Sequence, residues 1–232
     1  MKWIFLAIHC CLLLLAFISA VSAGKVRTHR VNLKKCYDHV TLTQYWIPKQ
    51  GDEDMLNGGK KVELSGAKTM PLKDRDGKVI AKVSKSTYEK FRMEGTGLLE
   101  NGVMVNLDSG ENTFLKVDRK KNPFGVGAGD NTGLVPWVSV ASNDVRRGTK
   151  LYIKDLDGVE LPNGKKHNGC VRVDDESWSF DRCQLDFFVL QYSAYRAMEK
   201  VVPNKVHAEP KDCELGDYVT SAVKKWAAVQ KK

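Results

Sequence analysis

Between Gly169 and Leu190 the chain reads Gly-Cys-Val-Arg-Val-Asp-Asp-Glu-Ser-Trp-Ser-Phe-Asp-Arg-Cys-Gln-Leu-Asp-Phe-Phe-Val-Leu. Two runs in it have strand character, Cys170 to Val173 and Gln184 to Leu190, and the turn between them carries five charged residues. Asp174 and Asp175 fall where the first run ends. Asp186 stands inside the second, flanked by Leu185, Phe187 and Phe188. An aspartate in that setting is a poor strand former and is costly to bury, so it needs a hydrogen-bond partner or a chemical task.

Upstream of this stretch the punctuation is that of a β domain. Asp76-Gly77, Asn101-Gly102, Asp157-Gly158 and Asn163-Gly164 supply residues that tolerate positive φ, as tight hairpin turns require. Thr41 to Ile47, Lys78 to Val83, Gly95 to Leu99, Val103 to Leu107, Leu134 to Ala141 and Thr149 to Leu156 read as strands. Ser84 to Arg92 has a helix start and helical Tyr88/Phe91 spacing, Ser193 to Lys200 is helical until Pro203, and Gln50 to Lys61 is a polar loop. From Asp217 to Gln230 an apolar stripe of Val219, Ala222, Val223, Trp226 and Ala227 marks an amphipathic helix with lysines at its C-terminal end. Asn122 to Gly133 is glycine-rich, but no Gly-Lys-Ser/Thr follows, so it reads as the flexible rim of a cleft and not as a phosphate loop.

The first 23 residues combine Lys2, an apolar run from Trp3 to Ile18 and small residues ending at Ala23, the pattern of a secretory signal peptide. A single uncleaved anchor is the alternative, disfavoured by its thin basic flank and short apolar core. Without residues 1–23 the formal charge falls from +9 to +8, since Lys2 alone is lost. The basic residues are spread out as Lys34-Lys35, Lys60-Lys61, Arg146-Arg147 and similar pairs, which suits anionic wall polymers and not nucleic acid. Cys36, Cys170, Cys183 and Cys213 remain, enough for two disulfides with three pairings open. The expected pairs are Cys170 with Cys183, bracing the acidic turn, and Cys36 with Cys213, tying the ends. His167, Cys170 and Cys183 lack a fourth ligand at regular spacing, so no metal or other cofactor is expected. The reading is of a monomeric, secreted protein with no stable membrane insertion.

Val138 to Phe188 resembles the three-aspartate domain of the lytic murein transglycosylase A family. Val-Ser-Val-Ala-Ser-Asn-Asp-Val-Arg-Arg-Gly-Thr-Lys-Leu-Tyr-Ile corresponds to the family's strand, connector and second strand. Val-Asp-Asp-Glu-Ser and Leu-Asp-Phe-Phe carry two of its aspartates at the family spacing. Met93-Glu94-Gly95-Thr96-Gly97 followed by Asn101-Gly102-Val103 is similar to further strands of the same enzymes. Ala141 stands where the family has its first aspartate, and Glu176-Ser177 where it has Thr-Gly. The resemblance implies a mainly β fold built on a six-stranded double-psi β-barrel, of the kind seen in RlpA and expansins, with a β-hairpin insertion and a C-terminal helix. The segments are then 1–23 signal peptide, 24–61 arm and first strand, 62–202 barrel with its 138–190 motif, and 203–232 tail.

The resemblance also implies that the family's catalytic aspartate is Asp175, acting on a β-1,4-linked cell-wall polysaccharide such as peptidoglycan. Asp175 would protonate the glycosidic oxygen and then take a proton from the substrate's own hydroxyl, leaving an anhydro-sugar. One carboxylate suffices for this, whereas hydrolases normally need two at fixed separation. Burial and the charges of Asp174, Glu176 and Asp181 would raise its pKa, and lysines would lower it. Asp186 would orient Asp175 or its turn. Tyr45, Trp46, Trp137 and Trp178 are candidates to stack on sugar rings, and Glu94 is a further carboxylate. The competing readings are a non-catalytic expansin- or barwin-like binding module, an inverting hydrolase resembling family 45 endoglucanases, and a secreted effector or inhibitor.

Overall fold

Val40–Tyr45 (β1) buries Val40 and Leu42 on one face and turns Thr43 outward, the period-two pattern of a strand with one covered side. A computed structural model describes residues 33–108, 112–128 and 132–227, all within one compact unit, Val31–Lys232. The expected signal peptide at residues 1–23 lies outside the described residues. Beyond β1 the chain forms Glu53–Met55 (β2), Lys61–Glu63 (β3), Met70–Lys73 (β4), Val79–Val83 (β5) and helix Lys85–Glu94 (α1). Thr96–Leu98 (β6), Met104–Leu107 (β7) and Phe114–Lys116 (β8) follow, then Ser139–Ala141 (β9), Lys150–Ile153 (β10), Cys170–Asp175 (β11) and Gln184–Phe188 (β12). The chain continues through Tyr192–Met198 (α2), Lys205–Val206 (β13), Ala208–Pro210 (β14) and Ser221–Ala227 (α3). The fold is mainly β with few helices.

Seven strands make one mixed sheet in the order β13-β1-β12-β9-β11-β10-β14. β1 runs parallel to β12 and β9 parallel to β11, while β12 and β9 are antiparallel. The two end strands are not paired with each other, so no closed barrel is formed by the ladder itself. They are, however, successive pieces of chain separated by His207 alone. Phe187, Phe188, Val140, Val171 and Val173 are fully buried, so the central strands are covered on both faces. Each such side chain contributes about 1.5–3 kcal/mol on burial.

A second core sits between β1 and β9 in sequence. Leu72, Val83, Phe91, Leu99, Val105 and Phe114 pack together from the β4–β5 hairpin, α1 and the β6-β7-β8 sheet. Helix α1 begins where Ser84 accepts from the Thr87 N–H and ends at Gly95 in the left-handed conformation, φ 71°. The expected polar loop at Gln50 to Lys61 instead pairs β2 with β3, because Asn57-Gly58-Gly59 makes a hairpin turn there. The expected strand from Leu134 is shortened to Ser139–Ala141. Trp137 has φ 58°, and the Val138 and Ser139 amides bond back to the Val135 carbonyl, winding residues 134–138 into a turn.

The disulfides are Cys36–Cys183 and Cys170–Cys213, which corrects both expected pairings. The reason is strand direction. β11 runs antiparallel to β12 through β9, so Cys170 begins β11 at the opposite end of the sheet from Cys183, which precedes β12. Six strand residues span roughly 20 Å, far beyond the reach of a disulfide. Cys36 precedes β1 and Cys183 precedes its parallel neighbour β12, so those two meet; β10 lies between β11 and β14 and brings Cys170 to Cys213. Cys36–Cys183 closes a sequence separation of 147 residues. Its replacement by two serines is expected to lower the unfolding free energy by about 2–5 kcal/mol, measurable by urea denaturation with and without reductant.

Candidate active site

Register places four side chains in a row across four adjacent strands. Thr43 of β1 faces Asp186 of β12, Asp186 faces Ala141 of β9, and Ala141 faces Asp175 of β11. Directly opposed residues share a face of the sheet. The row lines a cavity of about 620 Å³ whose opposite wall is made by the β2–β3 hairpin and helix α1, which contribute Met55, Leu56, Asn57, Lys90, Met93 and Glu94. Ala141, where the family motif has an aspartate, sits between the two carboxylates. Its small side chain is 3 % exposed and leaves the floor between them open.

Asp175 reaches this row through a β-bulge. Register shifts between Val173 and Asp175, leaving Asp174 as the extra residue. In a regular strand neighbours point to opposite faces; the bulge re-aims them. Asp174 is buried and receives Arg172 Nε at 2.5 Å, Arg172 Nη2 at 3.0 Å and Ser139 Oγ at 2.5 Å. It is spent on structure. Asp175 accepts the Ala128 amide at 2.6 Å, its neighbour Glu176's amide at 2.8 Å and the Tyr45 hydroxyl at 3.1 Å. Burial raises the Asp175 pKa, opposed by those three donors and by Arg147. Burial, then the Asp175 and Asp186 charges, hold the Tyr45 phenol well above its ordinary value, so Tyr45 remains a donor.

Asp186 is less well supplied. The Thr43 hydroxyl donates at 2.8 Å, and burial together with the Glu94 and Asp175 charges pushes its pKa up to about 7. Such a carboxyl exchanges its proton near neutrality. On the opposite wall, buried Lys90 reaches Glu94 Oε1 at 2.6 Å, the Met55 carbonyl at 2.7 Å and Asp54 Oδ1 at 3.2 Å. Its ammonium lies 4.2 Å from the Trp46 ring centroid, and Trp46 stacks on Tyr195 at 4.6 Å. Burial raises the Glu94 pKa against the pull of Lys90.

Of the residues singled out in the sequence, Asp175, Asp186, Tyr45, Trp46, Trp178 and Glu94 all line this cavity. Trp178 is 72 % exposed at the rim. Trp137 does not belong there. It is 2 % exposed in the core, where its carbonyl meets His167 Nε2 at 2.8 Å, because the turn before β9 carries it away from the cavity. Thr43 and Lys90 were not legible as site residues; strand register and helix phase alone bring them in.

The glycine-rich stretch is docked on the site through Gly127 and Ala128. A Cβ built on Gly127 would lie 2.3 Å from the Asp174 carbonyl oxygen and 3.2 Å from Asp175 Cα. Only glycine lets this segment approach closely enough for the Ala128 N–H to reach Asp175. Gly127→Ala is expected to cost about 1–3 kcal/mol of stability and to raise the Asp175 pKa by removing a donor. Thermal unfolding and carboxyl NMR titration would check both.

No protein-family model matches the chain, and no curated protein matches it. Solved structures similar to it include lytic transglycosylases. Escherichia coli MltA with bound chitohexaose is 14% identical, covering 75% of this chain and 72% of that one with a TM-score of 0.47. The membrane-bound lytic murein transglycosylase of Agrobacterium tumefaciens is 11% identical over 73% and 72%, with a TM-score of 0.44. LtgG of Burkholderia pseudomallei is 11% identical over 75% and 73%, with a TM-score of 0.41.

Proposed function

We propose that this protein is an exported lytic enzyme that cleaves β-1,4-linked amino-sugar polymers of cell walls, peptidoglycan or a related glycan, with Asp186 as its acid and base. The observation that carries the reading is the Asp186 carboxyl, lining the cavity and raised to about 7. Asp186 donates its proton to the glycosidic oxygen as the C1–O bond breaks. The same carboxylate then accepts the proton of the C6 hydroxyl while O6 attacks C1, closing a 1,6-anhydro ring. The proton count returns to its start and no water is consumed. Asp175, held by two amides and a phenol, is the fixed charge that keeps Asp186 protonated and favours positive charge developing at C1. This exchanges the roles implied by the sequence motif, on the ground that Asp175 has three donors and Asp186 one.

Trp178, exposed at the rim, and Tyr195, half-buried in the wall, supply apolar faces for sugar rings, while Trp46, 5 % exposed, backs Tyr195 from beneath. Two disulfides suit an oxidising compartment. The monomeric state and the lack of a nucleic-acid partner belong to this same reading. So does the double-psi barrel: with Lys205–Pro210 counted as one strand bridging β1 and β10, the sheet becomes a six-stranded cylinder closed by chain continuity.

Incubation of the protein with peptidoglycan and with chitin, followed by mass spectrometry of soluble products, tests the reading. Anhydro-ended fragments are expected. Asp175 and Asp186 flank Ala141 in register, two strand spacings or about 9.5 Å apart along the sheet, which also leaves room for a water between two carboxyls. Reducing-end products would therefore mean hydrolysis and overturn the lyase. Saturable binding without products would mean a binding module.

A further inference from the structure

Between β11 and β12 residues 176–183 form no helix or strand, so their backbone groups need partners from elsewhere. Asn143, two residues beyond β9, supplies them. Its Nδ2 donates to the Ser177 carbonyl at 2.7 Å and to the Phe180 carbonyl, and its Oδ1 accepts the Ser177 amide at 2.9 Å. Both donor hydrogens and the acceptor oxygen of one side chain are thus engaged by a single loop. The loop is fastened at its ends as well. Arg147 pairs with Glu176 at 2.8 Å, the Cys183 amide donates to Asp144 Oδ2 at 3.3 Å, and Cys183 is bonded to Cys36. Within the loop the Ser179 amide donates to Ser177 Oγ at 3.1 Å, and the Ser177 and Ser179 hydroxyls meet at 2.8 Å.

This scaffolding carries Trp178. The ring stands between the two residues that Asn143 clamps, lines the cavity and is 72 % exposed. A side chain so exposed packs little against the core, so its setting comes from the backbone that presents it. Holding that backbone in advance removes part of the ordering cost that a bound sugar would otherwise have to offset. Asn143 itself is not one of the residues lining the cavity; it faces the outer surface beside Arg146 and Arg147. Any influence it has on a ligand passes through the loop.

We propose that Asn143 is a positioning residue for glycan binding, holding the 177–180 loop so that Trp178 forms a ready-made stacking platform at the cavity rim. The inference rests on the glycan-cleaving reading and assigns to that site a determinant outside its own lining.

Backbone ¹⁵N relaxation and calorimetry with chitohexaose test this on the intact protein. The Trp178 amide is expected to be as ordered as the strands in the parent and to become mobile on the picosecond-to-nanosecond scale in Asn143→Ala. The same variant should weaken chitohexaose binding by up to about tenfold, the scale of ordering one large side chain, and should raise KM for peptidoglycan more than it lowers kcat. Trp178→Ala, which leaves the core untouched, should weaken binding to a similar extent, and adding Asn143→Ala to it should cost little more. Asn143→Asp keeps the acceptor for the Ser177 amide and loses both donors, so it should fall between parent and alanine variant; it serves where Asn143→Ala disturbs folding. A Trp178 amide that stays ordered without Asn143, or losses that add in the double variant, would overturn the inference and leave the glycan reading standing. If the parent neither binds chitohexaose nor cleaves peptidoglycan, the glycan reading falls and the inference with it.

Discussion

Replacing Asp186 by Asn is expected to slow glycan cleavage by about 10²–10⁴-fold while making the protein harder to unfold above neutral pH. Both effects follow from the carboxyl being raised to about 7. The acid must be protonated when the glycosidic bond breaks, so the parent's activity should fall as pH rises through about 7. For stability the sign is the reverse of the usual carboxylate case. The unfolded chain ionises Asp186 near its ordinary value, whereas the folded chain keeps the proton until about 7. Between those points the folded state binds more protons, and stability declines with rising pH. Asn cannot ionise, so the variant should match its parent in acid and exceed it at alkaline pH, by roughly 2 kcal/mol after discounting for partial exposure. Urea titrations of both proteins across the pH range would read this directly. Asp175→Asn removes a charge that raises Asp186, so it should move the activity limb to lower pH while leaving measurable turnover.

Lys90→Met carries the largest expected loss of stability. Lys90 and Asp54 are each 1 % exposed at the side chain, and Glu94 is 12 % exposed. Removing the ammonium strands two carboxylates in a buried site, which costs about 3–5 kcal/mol. The penalty comes from unpaired charge and not from lost packing, so adding Asp54→Asn and Glu94→Gln to Lys90→Met should recover much of it. A denaturation series over the single and triple variants would decide between the two origins. Recovery in the triple variant is the result expected; continued loss would place the cost in packing against Trp46.

The sequence carried the β character and the outline of the site because both rest on local signals. Hairpin glycines, the Ser84 helix start, and carboxylates embedded in apolar strands can be read without knowing what lies opposite. Features that depend on strand direction could not be read this way. Cys170 and Cys183 flank one acidic turn in sequence, yet the turn is wide, and the strand after it returns antiparallel with β9 between, leaving the two thiols at opposite ends of the sheet. The same holds for the bulge at Asp174. Two adjacent aspartates give no sign of which one a register shift will bury against Arg172 and which will face the cavity. Trp137, expected inside a strand and among the aromatics that stack on sugar rings, has a left-handed backbone and is buried in the core. Gly127 had a detectable signal, a glycine in a rim segment. What it lacked was the partner that makes a side chain there impossible.

The stretch Lys205 to Pro210 pairs with β1 on one side and with β10 on the other. Thr41 must find Gln184 and Lys205, and Leu151 must find Pro210, so the defining contacts are distant along the chain and folding should be slow for a protein of this size. Neither margin of the sheet has its partner until nearly the whole polypeptide has been synthesised. A chain cut short before residue 205 would expose two raw strand edges at once, and aggregation, more than simple loss of activity, is the expected fate of such a fragment.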